Sequence, residues 1–450
     1  MNAEQIESEY RSVEAELLAR WPETKLEPSR DRIVALMDLL GSPQRAYPSI
    51  HITGTNGKTS AARMIDALLR ALNLRTGRTT SPHLEEVRER ICLDGEPIDK
   101  RRFVEVYRDV KPFADLVDER QPHPLSFFEM ITGLAYAAFA DAPVDAGVVE
   151  VGLGGTWDAT NVIDAAVAVV TPISLDHTRL LGDTVEDIAW EKSGIIKPNA
   201  VAILAQQQLE AAQVLIRQAA EVGATVAREG IEFGVMDRQL AVGGQQLVVK
   251  GLSREYDGIY LPLHGAYQAH NAACAIAAVE AFLGAGQGGG SLEPELVREA
   301  LGAITSPGRL EVVRRSPTVL LDAAHNPGGA LATAEAVAEE FAFDHLVGVV
   351  AVSADKDVRG LLEAFEPVLD EVVVTRNSTP RSMAVPELAA LAAEVFGEER
   401  VWVEQRLDDA IDRAVGLAEA GVADAALGGT GVLVTGSVIT AGEAGTLLRR

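Results

Sequence analysis

From about residue 47 onward the apolar positions fall into two alternating patterns. Short runs rich in Val, Ile and Ala, at 146–151, 166–171 and 201–205, read as strands buried on both faces, and the stretches between them carry apolar residues at helical spacing. That alternation predicts an α/β fold, with a doubly wound, mostly parallel sheet covered by helices on both faces. Ile50-His51-Ile52-Thr53 predicts a strand end, and Ile65, Leu68, Leu69 and Leu72 share one face of the helix that would follow. Upstream, residues 1–47 read as helical and then irregular, with breaks at Trp21-Pro22-Glu23 and Gly41-Ser42-Pro43. Residues 231–260 leave the alternation: glycine-containing turns between β-type runs predict antiparallel strands, followed by a helix from about Gln268 to Leu283. The glycine-rich stretch Gly284 to Ser291 reads as a flexible loop inside a domain, whereas Thr305-Ser306-Pro307-Gly308 reads as a linker. The expected domains are therefore 1–305 and 306–450. In the second, strands at 319–322, 346–352, 372–375 and 432–435 alternate with helices, predicting a smaller, Rossmann-like α/β unit.

Composition narrows the partners. The 450 residues are 47% hydrophobic and carry a net charge of −26. No Lys/Arg cluster is present, so a nucleic-acid surface is not expected. The excess of acid, with arginine outnumbering lysine, also suits a salt-adapted or high-GC source. No stretch reaches membrane-spanning length, and the polar, acidic start Met1-Asn2-Ala3-Glu4-Gln5 lacks the basic-then-apolar plan of a leader. Cys92 and Cys274 have no metal-type spacing, and a reducing cytoplasm is the expectation.

The chemistry centres on Gly54-Thr55-Asn56-Gly57-Lys58-Thr59-Ser60, set between the predicted strand and helix. Glycines let the backbone curl so that several N–H groups face one anion, and the helix N-terminus adds its dipole. Lys58 can reach terminal phosphates, and Thr59 or Ser60 offers a hydroxyl to phosphate or magnesium. A standard loop of this kind would carry a glycine five residues before Gly57, where this chain has Ile52. Phosphate chemistry with magnesium needs a carboxylate close by. Glu150 ends an apolar run before Gly152-Leu153-Gly154-Gly155, although a glutamate closing a strand can equally be only solvated. Asp176 and His177 follow the next predicted strand, on the carboxyl edge where ligands of such sheets bind, and a histidine there is otherwise a hydrogen-bonded structural residue. Glu191-Lys192 reads either as a surface ion pair or as part of the site. Lys192 can ligate magnesium only if carbamylated, because an ammonium has no lone pair to give.

Taken in order, the phosphate loop, Ser81-Pro82-His83-Leu84 with Glu89-Arg90-Ile91, Glu150-Val151-Gly152-Leu153-Gly154-Gly155 with Asp158-Ala159-Thr160-Asn161, Asp176-His177, Glu191-Lys192-Ser193-Gly194-Ile195, Pro307-Gly308-Arg309 and His325-Asn326-Pro327 resemble the dihydrofolate synthase/folylpolyglutamate synthase family of the Mur-ligase superfamily. The resemblance runs from about residue 30 to Gly442. It implies ATP-dependent amide formation: a substrate carboxylate attacks the γ-phosphate, and L-glutamate then displaces phosphate from the acyl phosphate. It also implies a first magnesium at Ser81 and Glu150, a second at His177 near a carbamylated Lys192, and room for potassium. The triphosphate would lie on Asn56, Gly57, Lys58 and Thr59, with Ser60 beside them. Asn271, Arg309, Asp322 and His325 match nucleotide contacts. Dihydropteroate or a reduced folate would lie near Ser126, Phe127, Phe128, Glu129, Trp157, Asp158 and Ala159. The working unit is expected to be a monomer whose two domains close over ATP.

Three departures stand out. Thr59 replaces a glycine common in the family and adds a hydroxyl. Thr156-Trp157 stands where Arg-Leu is usual. Tyr267 and Ala323 replace a histidine and a glycine. Two rival readings remain at this stage. A cell-wall Mur ligase would carry an extra domain before the loop, and only about 50 residues precede it here. A non-catalytic ATP switch would not need Glu150, His177 and Lys192 together.

Overall fold

The computed structural model describes residues 2–22, 28–284, 290–421 and 429–449. Glu23 of the first predicted break and residues 285–289 of the predicted glycine loop lie outside the described residues. The chain divides into two compact units, one built from 1–238, 246–261 and 269–304, the other from 239–245, 262–268 and 305–450.

The first unit holds an eight-stranded sheet of β1 (Ser49–Thr53), β2 (Thr76–Thr79), β3 (Ile91–Leu93), β4 (Glu96–Pro97), β5 (Ala146–Glu150), β6 (Val167–Val170), β7 (Val201–Leu204) and β8 (Thr225–Arg228), in the order β4-β3-β2-β5-β1-β6-β7-β8. The six strands from β2 to β8 in that order run parallel, and β3 and β4 add an antiparallel edge. Central β1 is wholly buried: Ile50 and Ile52 make one face apolar, and Ser49, His51 and Thr53 on the other face are buried polar residues. Its register pairs Ile52 with Glu150 and Thr53 with Val170. The carboxyl ends of β1, β5 and β6 therefore lie side by side, and segments starting at Gly54, Val151 and Thr171 leave from one edge.

Helices Ala3–Leu18, Lys100–Arg120 and Phe127–Asp141 enclose one apolar core around Tyr10, Phe103 and Phe139, while Val185–Ser193 and Leu209–Val222 enclose another around Ile188 and Leu215. Helix Lys58–Ala71 buries Ile65, Leu68 and Leu69, the predicted face, and Leu72 is its C-cap residue.

β9 (Gly234–Ala241), β10 (Gly244–Lys250) and β11 (Glu255–Leu261) form a separate sheet, with β10 central. Connections of two and four residues between paired neighbours make it antiparallel, as the sequence suggested. In the second unit, β12 (Glu311–Arg315), β13 (Thr318–Leu321), β14 (Phe343–Val350), β15 (Glu371–Val374), β16 (Val401–Val403) and β17 (Gly429–Thr435) take the order β12-β13-β17-β14-β15-β16. All are parallel except β12. Helices Pro327–Glu340, Val358–Phe365 and Val385–Phe396 contribute to one apolar core there, with Leu362 and Phe365 at its centre.

β2 carries no apolar run, and for a physical reason. Thr76-Gly77-Arg78-Thr79 looks polar, yet Arg78 is buried with its guanidinium 3.6 Å from Asp66 of the neighbouring helix and against the Cys92 thiol.

Candidate active site

The phosphate loop begins where β1 ends. Gly54 and Gly57 have φ of 142° and 91°, and at neither is there space for a side chain: a Cβ would meet Thr171 Oγ1 at 1.9 Å and Asn271 Oδ1 at 2.5 Å. The Thr55 and Asn56 amides donate to Pro172 O, and Thr55 Oγ1 exchanges hydrogen bonds with the Ser174 backbone at 3.0 Å. The loop is thus bolted to the segment that follows β6. Lys58 folds back so that Nζ donates to Gly54 O and Thr55 O, 3.0 Å each, the posture of an ammonium held over a curled loop. Asn271, on helix Ala266–Phe282, is buried against Gly57, so this family-matched residue does reach the loop.

Glu150 closes β5 and is buried. Thr59 Oγ1 donates to both its oxygens, at 2.9 and 3.1 Å, and the Ser81 amide approaches one at 3.3 Å. Thr59, Glu150 and Ser81 therefore meet, although they come from β1's loop, β5 and the turn after β2. Among the described residues no group of three or more His, Cys, Asp or Glu side chains is arranged to hold a metal by itself. Magnesium does not require one, since it takes one or two carboxylates and fills its shell with water and phosphate oxygens. A single buried carboxylate ringed by hydroxyl-bearing residues beside a phosphate loop fits that need. Residues Leu84 to Glu86, just after Ser81, are held by the Glu89 carboxylate, which accepts their three amides at 2.7–3.0 Å, and Arg90 Nε donates to His83 Nδ1 at 2.9 Å.

Lys192 is buried, and its Nζ donates to Gly54 O at 2.9 Å. Burial, reinforced by the charge of Lys58, pulls its pKa down to about 7. Asp176 is close enough to oppose that shift. His177 takes a left-handed conformation, φ 51°, that turns the chain into helix Thr178–Leu181, and its ring lies 3.9 Å from Asp176.

The residues matched to substrate binding divide. Ser126 caps helix Phe127–Asp141, its Oγ accepting from the Glu129 amide, and Glu129 also binds Arg32 at 3.0 and 3.1 Å in a buried ion pair. Phe127 is core, under the Arg90 guanidinium at 4.8 Å, while Phe128 packs across Gly152 at a distance no Cβ would allow. Ala159 is buried and Trp157 partly so. Asp158 is a fastening residue: its carboxylate accepts from Leu153 N and from both the amide and hydroxyl of Thr160, at 2.5–2.9 Å. Burial nevertheless pushes its carboxyl pKa up. Because Thr160 gives its proton to Asp158, it accepts from His51 Nε2 at 2.9 Å, which fixes that tautomer. Glu191 holds the same loop through the Gly155 and Trp157 amides. Sequence reasoning missed His51 and Thr55 in these supporting roles; Thr160 was visible only as a motif letter.

In the second unit, Asp322 is buried and accepts from Leu310 N, Ala324 N and Thr333 Oγ1. Its pKa is raised by burial against the pull of Arg309. Tyr267, the departure noted above, is partly buried against that unit's core, close enough to Asp322 and Arg309 for their charges to act on it. His325 Nδ1 bonds Ala323 O at 2.9 Å, and Asn326 caps helix Pro327–Glu340.

Residues 52–279 match the Mur ligase middle domain and residues 308–438 the Mur ligase, glutamate ligase domain. The chain is 54% identical to the Mycobacterium tuberculosis dihydrofolate synthase/folylpolyglutamate synthase over 97% of its own length and 93% of that protein's, and 35% identical to the Lacticaseibacillus casei folylpolyglutamate synthase, with 79% and 82% covered. A crystal structure of the M. tuberculosis folylpolyglutamate synthase complexed with ADP and AMPPCP superposes with TM-score 0.94 at 53% identity, covering 99% of both chains. A structure described as an FPGS-AMPPCP-folate complex superposes at TM-score 0.81 and 30% identity, covering 98% and 99%.

Proposed function

The chain belongs to the dihydrofolate synthase/folylpolyglutamate synthase family of Mur-type ligases, and from that membership we propose that it uses ATP to join L-glutamate to dihydropteroate, to reduced folates, or to both. The cell-wall and switch readings are not favoured by these relatives. A carboxylate is a poor electrophile, so amide formation in water needs a leaving group. The substrate carboxylate attacks the γ-phosphate of ATP, and the amine of glutamate then attacks the activated carbon and expels phosphate.

The carrying observation is convergence: Thr59, Glu150, Ser81 and Lys192, from four separate places in the sequence, gather at the mouth of one phosphate loop. Lys58 and the loop amides would hold the β- and γ-phosphates. Glu150 and Ser81 would hold one magnesium, and His177 with a carbamylated Lys192 a second, with potassium as a further cation. Bound there, divalent cations would screen the repulsion between an anionic nucleophile and an anionic phosphate and clamp the group in transfer. Carbamylation requires a neutral amine, and the depressed pKa of Lys192 supports that chemistry. Asn271, Arg309, Asp322 and His325 are proposed nucleotide contacts. Phe128 and Trp157 are the substrate candidates with ring surface left to offer. Ser126, Phe127, Glu129, Asp158 and Ala159 are proposed to shape that site through the packing and hydrogen bonds described above.

The working unit is proposed to be a monomer. Among the described residues no helix is long and apolar enough to cross a membrane, and both cysteines are free and buried. We place the activity in the cytoplasm. The test is glutamate-dependent phosphate release, with dihydropteroate and tetrahydrofolate offered separately. Release with either acceptor supports the proposal, and ATP binding without release with both overturns it.

A further inference from the structure

A cavity of about 230 Å³ lies at the other edge of the first unit's sheet, away from the phosphate loop. Its walls come from residues that precede strands: Ser42 to Arg45 before β1, Asn161 to Asp164 before β6, and Lys197 before β7, with Arg30 from the segment leading into helix Asp31–Leu39. These are the amino ends of the strands, whereas the site described above uses the carboxyl ends.

Two features of this cavity call for a ligand. The first is charge. Arg30 and Lys197 are both partly buried, and among the described residues neither makes an ion pair within 4 Å; Arg30 instead donates to the Asn161 carbonyl at 2.6 Å. Burial first, and then the nearby charge of Arg30, lower the pKa of Lys197, with Asp164 opposing. The acids in the wall, Asp38 and Asp164, are exposed, and Asp164 is already engaged by Arg45 at 3.7 Å. The second feature is unmet acceptors. Among the described residues Gln44 Oε1 and Asn161 Oδ1 are buried without a hydrogen-bond partner, on residues only 6% and 3% exposed. Buried polar atoms are nearly always satisfied, so a pair of orphans lining one cavity implies donors from outside. Cations and orphan acceptors together demand an anion that is also a donor.

We propose that this cavity binds a small oxyanion carrying its own O–H or N–H groups, such as hydrogen phosphate or the carboxylate of a free amino acid. The anionic oxygens meet Arg30 and Lys197, and the donor groups meet Gln44 and Asn161. Asn161 also reaches the opposite direction, its Nδ2 donating to Thr156 O and Gly194 O, so it ties the cavity wall to the turn before Asp158 and to the end of Lys192's helix.

The experiment is calorimetric titration of the full chain with inorganic phosphate, with the phosphate loop already saturated by a methylene analogue of ATP and magnesium. Wild type is expected to bind one phosphate per chain and to bind sulfate, which has no O–H at neutral pH, at least tenfold more weakly. Lys197→Met and Arg30→Gln, each checked for an intact melting transition, are expected to weaken phosphate at least tenfold. Competition by L-glutamate for the Lys197-dependent heat assigns the amino-acid source, and its absence assigns phosphate. No heat in the wild type, or wild-type heat and affinity in both variants, overturns the proposal.

Discussion

Thr59 Oγ1 donates to both carboxylate oxygens of Glu150, at 2.9 and 3.1 Å, joining the first turn of the loop helix to the end of the neighbouring strand. The hydroxyl that departs from the family's usual glycine thus points the carboxylate toward the loop mouth. A hydrogen bond to a charged group contributes about 1.5–3 kcal/mol. Thr59→Val keeps the shape and removes the donor, so kcat/KM should fall roughly 10- to 100-fold. Glu150→Gln, nearly isosteric, should lose most turnover while melting within a few degrees of wild type. Steady-state kinetics beside calorimetry reads both, and wild-type activity in Glu150→Gln would contradict the role given to that carboxylate.

Lys192 faces the first carbonyl of the loop from a fully buried position. If its working form is the carbamate, Lys192→Ala removes an acid rather than a base. Activity should vanish and return in part with added acetate or formate, whereas added alkylamines should not restore it. Rescue by amines and not by carboxylates would contradict the carbamate.

Gly57 sits at φ 91° with Asn271 Oδ1 2.5 Å from where a Cβ would stand. Gly57→Ala meets left-handed strain of roughly 1 kcal/mol and must also displace a buried asparagine. Binding of an ATP analogue by calorimetry should weaken at least tenfold. Unchanged affinity would show that Asn271 and the loop are not coupled.

His51 is buried in the centre of β1, and burial depresses its pKa to about 3. The unfolded chain takes up a proton near pH 6.5, and the folded chain does not until far lower. Stability from this group is therefore full above pH 6.5 and falls as pH drops toward 3, by about 1.4 kcal/mol per pH unit. His83 is depressed to about 3 as well, so in denaturant unfolding from pH 7.5 to 5 His51→Asn should lose about 1.4 kcal/mol less per pH unit than wild type below pH 6.5. An equal slope in both would mean that His51 is not kept neutral.

The loop, its flanking strand and helix, and the parallel plan were legible because each follows from local pattern: an Ile-His-Ile strand end, a glycine turn, a 3.6-residue apolar face. Element ends shifted by one to three residues, as at β14, which starts at Phe343 rather than Leu346. What stayed hidden was pairing at a distance. Arg78 reads as exposed until Asp66 is found beside it, and nothing near Thr160 in sequence reveals that His51 joins its bond to Asp158 from β1. Glu129, expected beside the substrate, holds Arg32 and the Ser126 amide with its carboxylate oxygens, partners that its place in the sequence does not reveal.

The most direct measurement of ligation through an activated carboxylate is oxygen transfer. Dihydropteroate or tetrahydrofolate carrying ¹⁸O in its reacting carboxylate is turned over with ATP and L-glutamate, and the released phosphate is weighed by mass spectrometry. One labelled oxygen per phosphate is predicted, because the carboxylate oxygen leaves bound to phosphorus. Unlabelled phosphate formed alongside amide product would contradict the acyl phosphate.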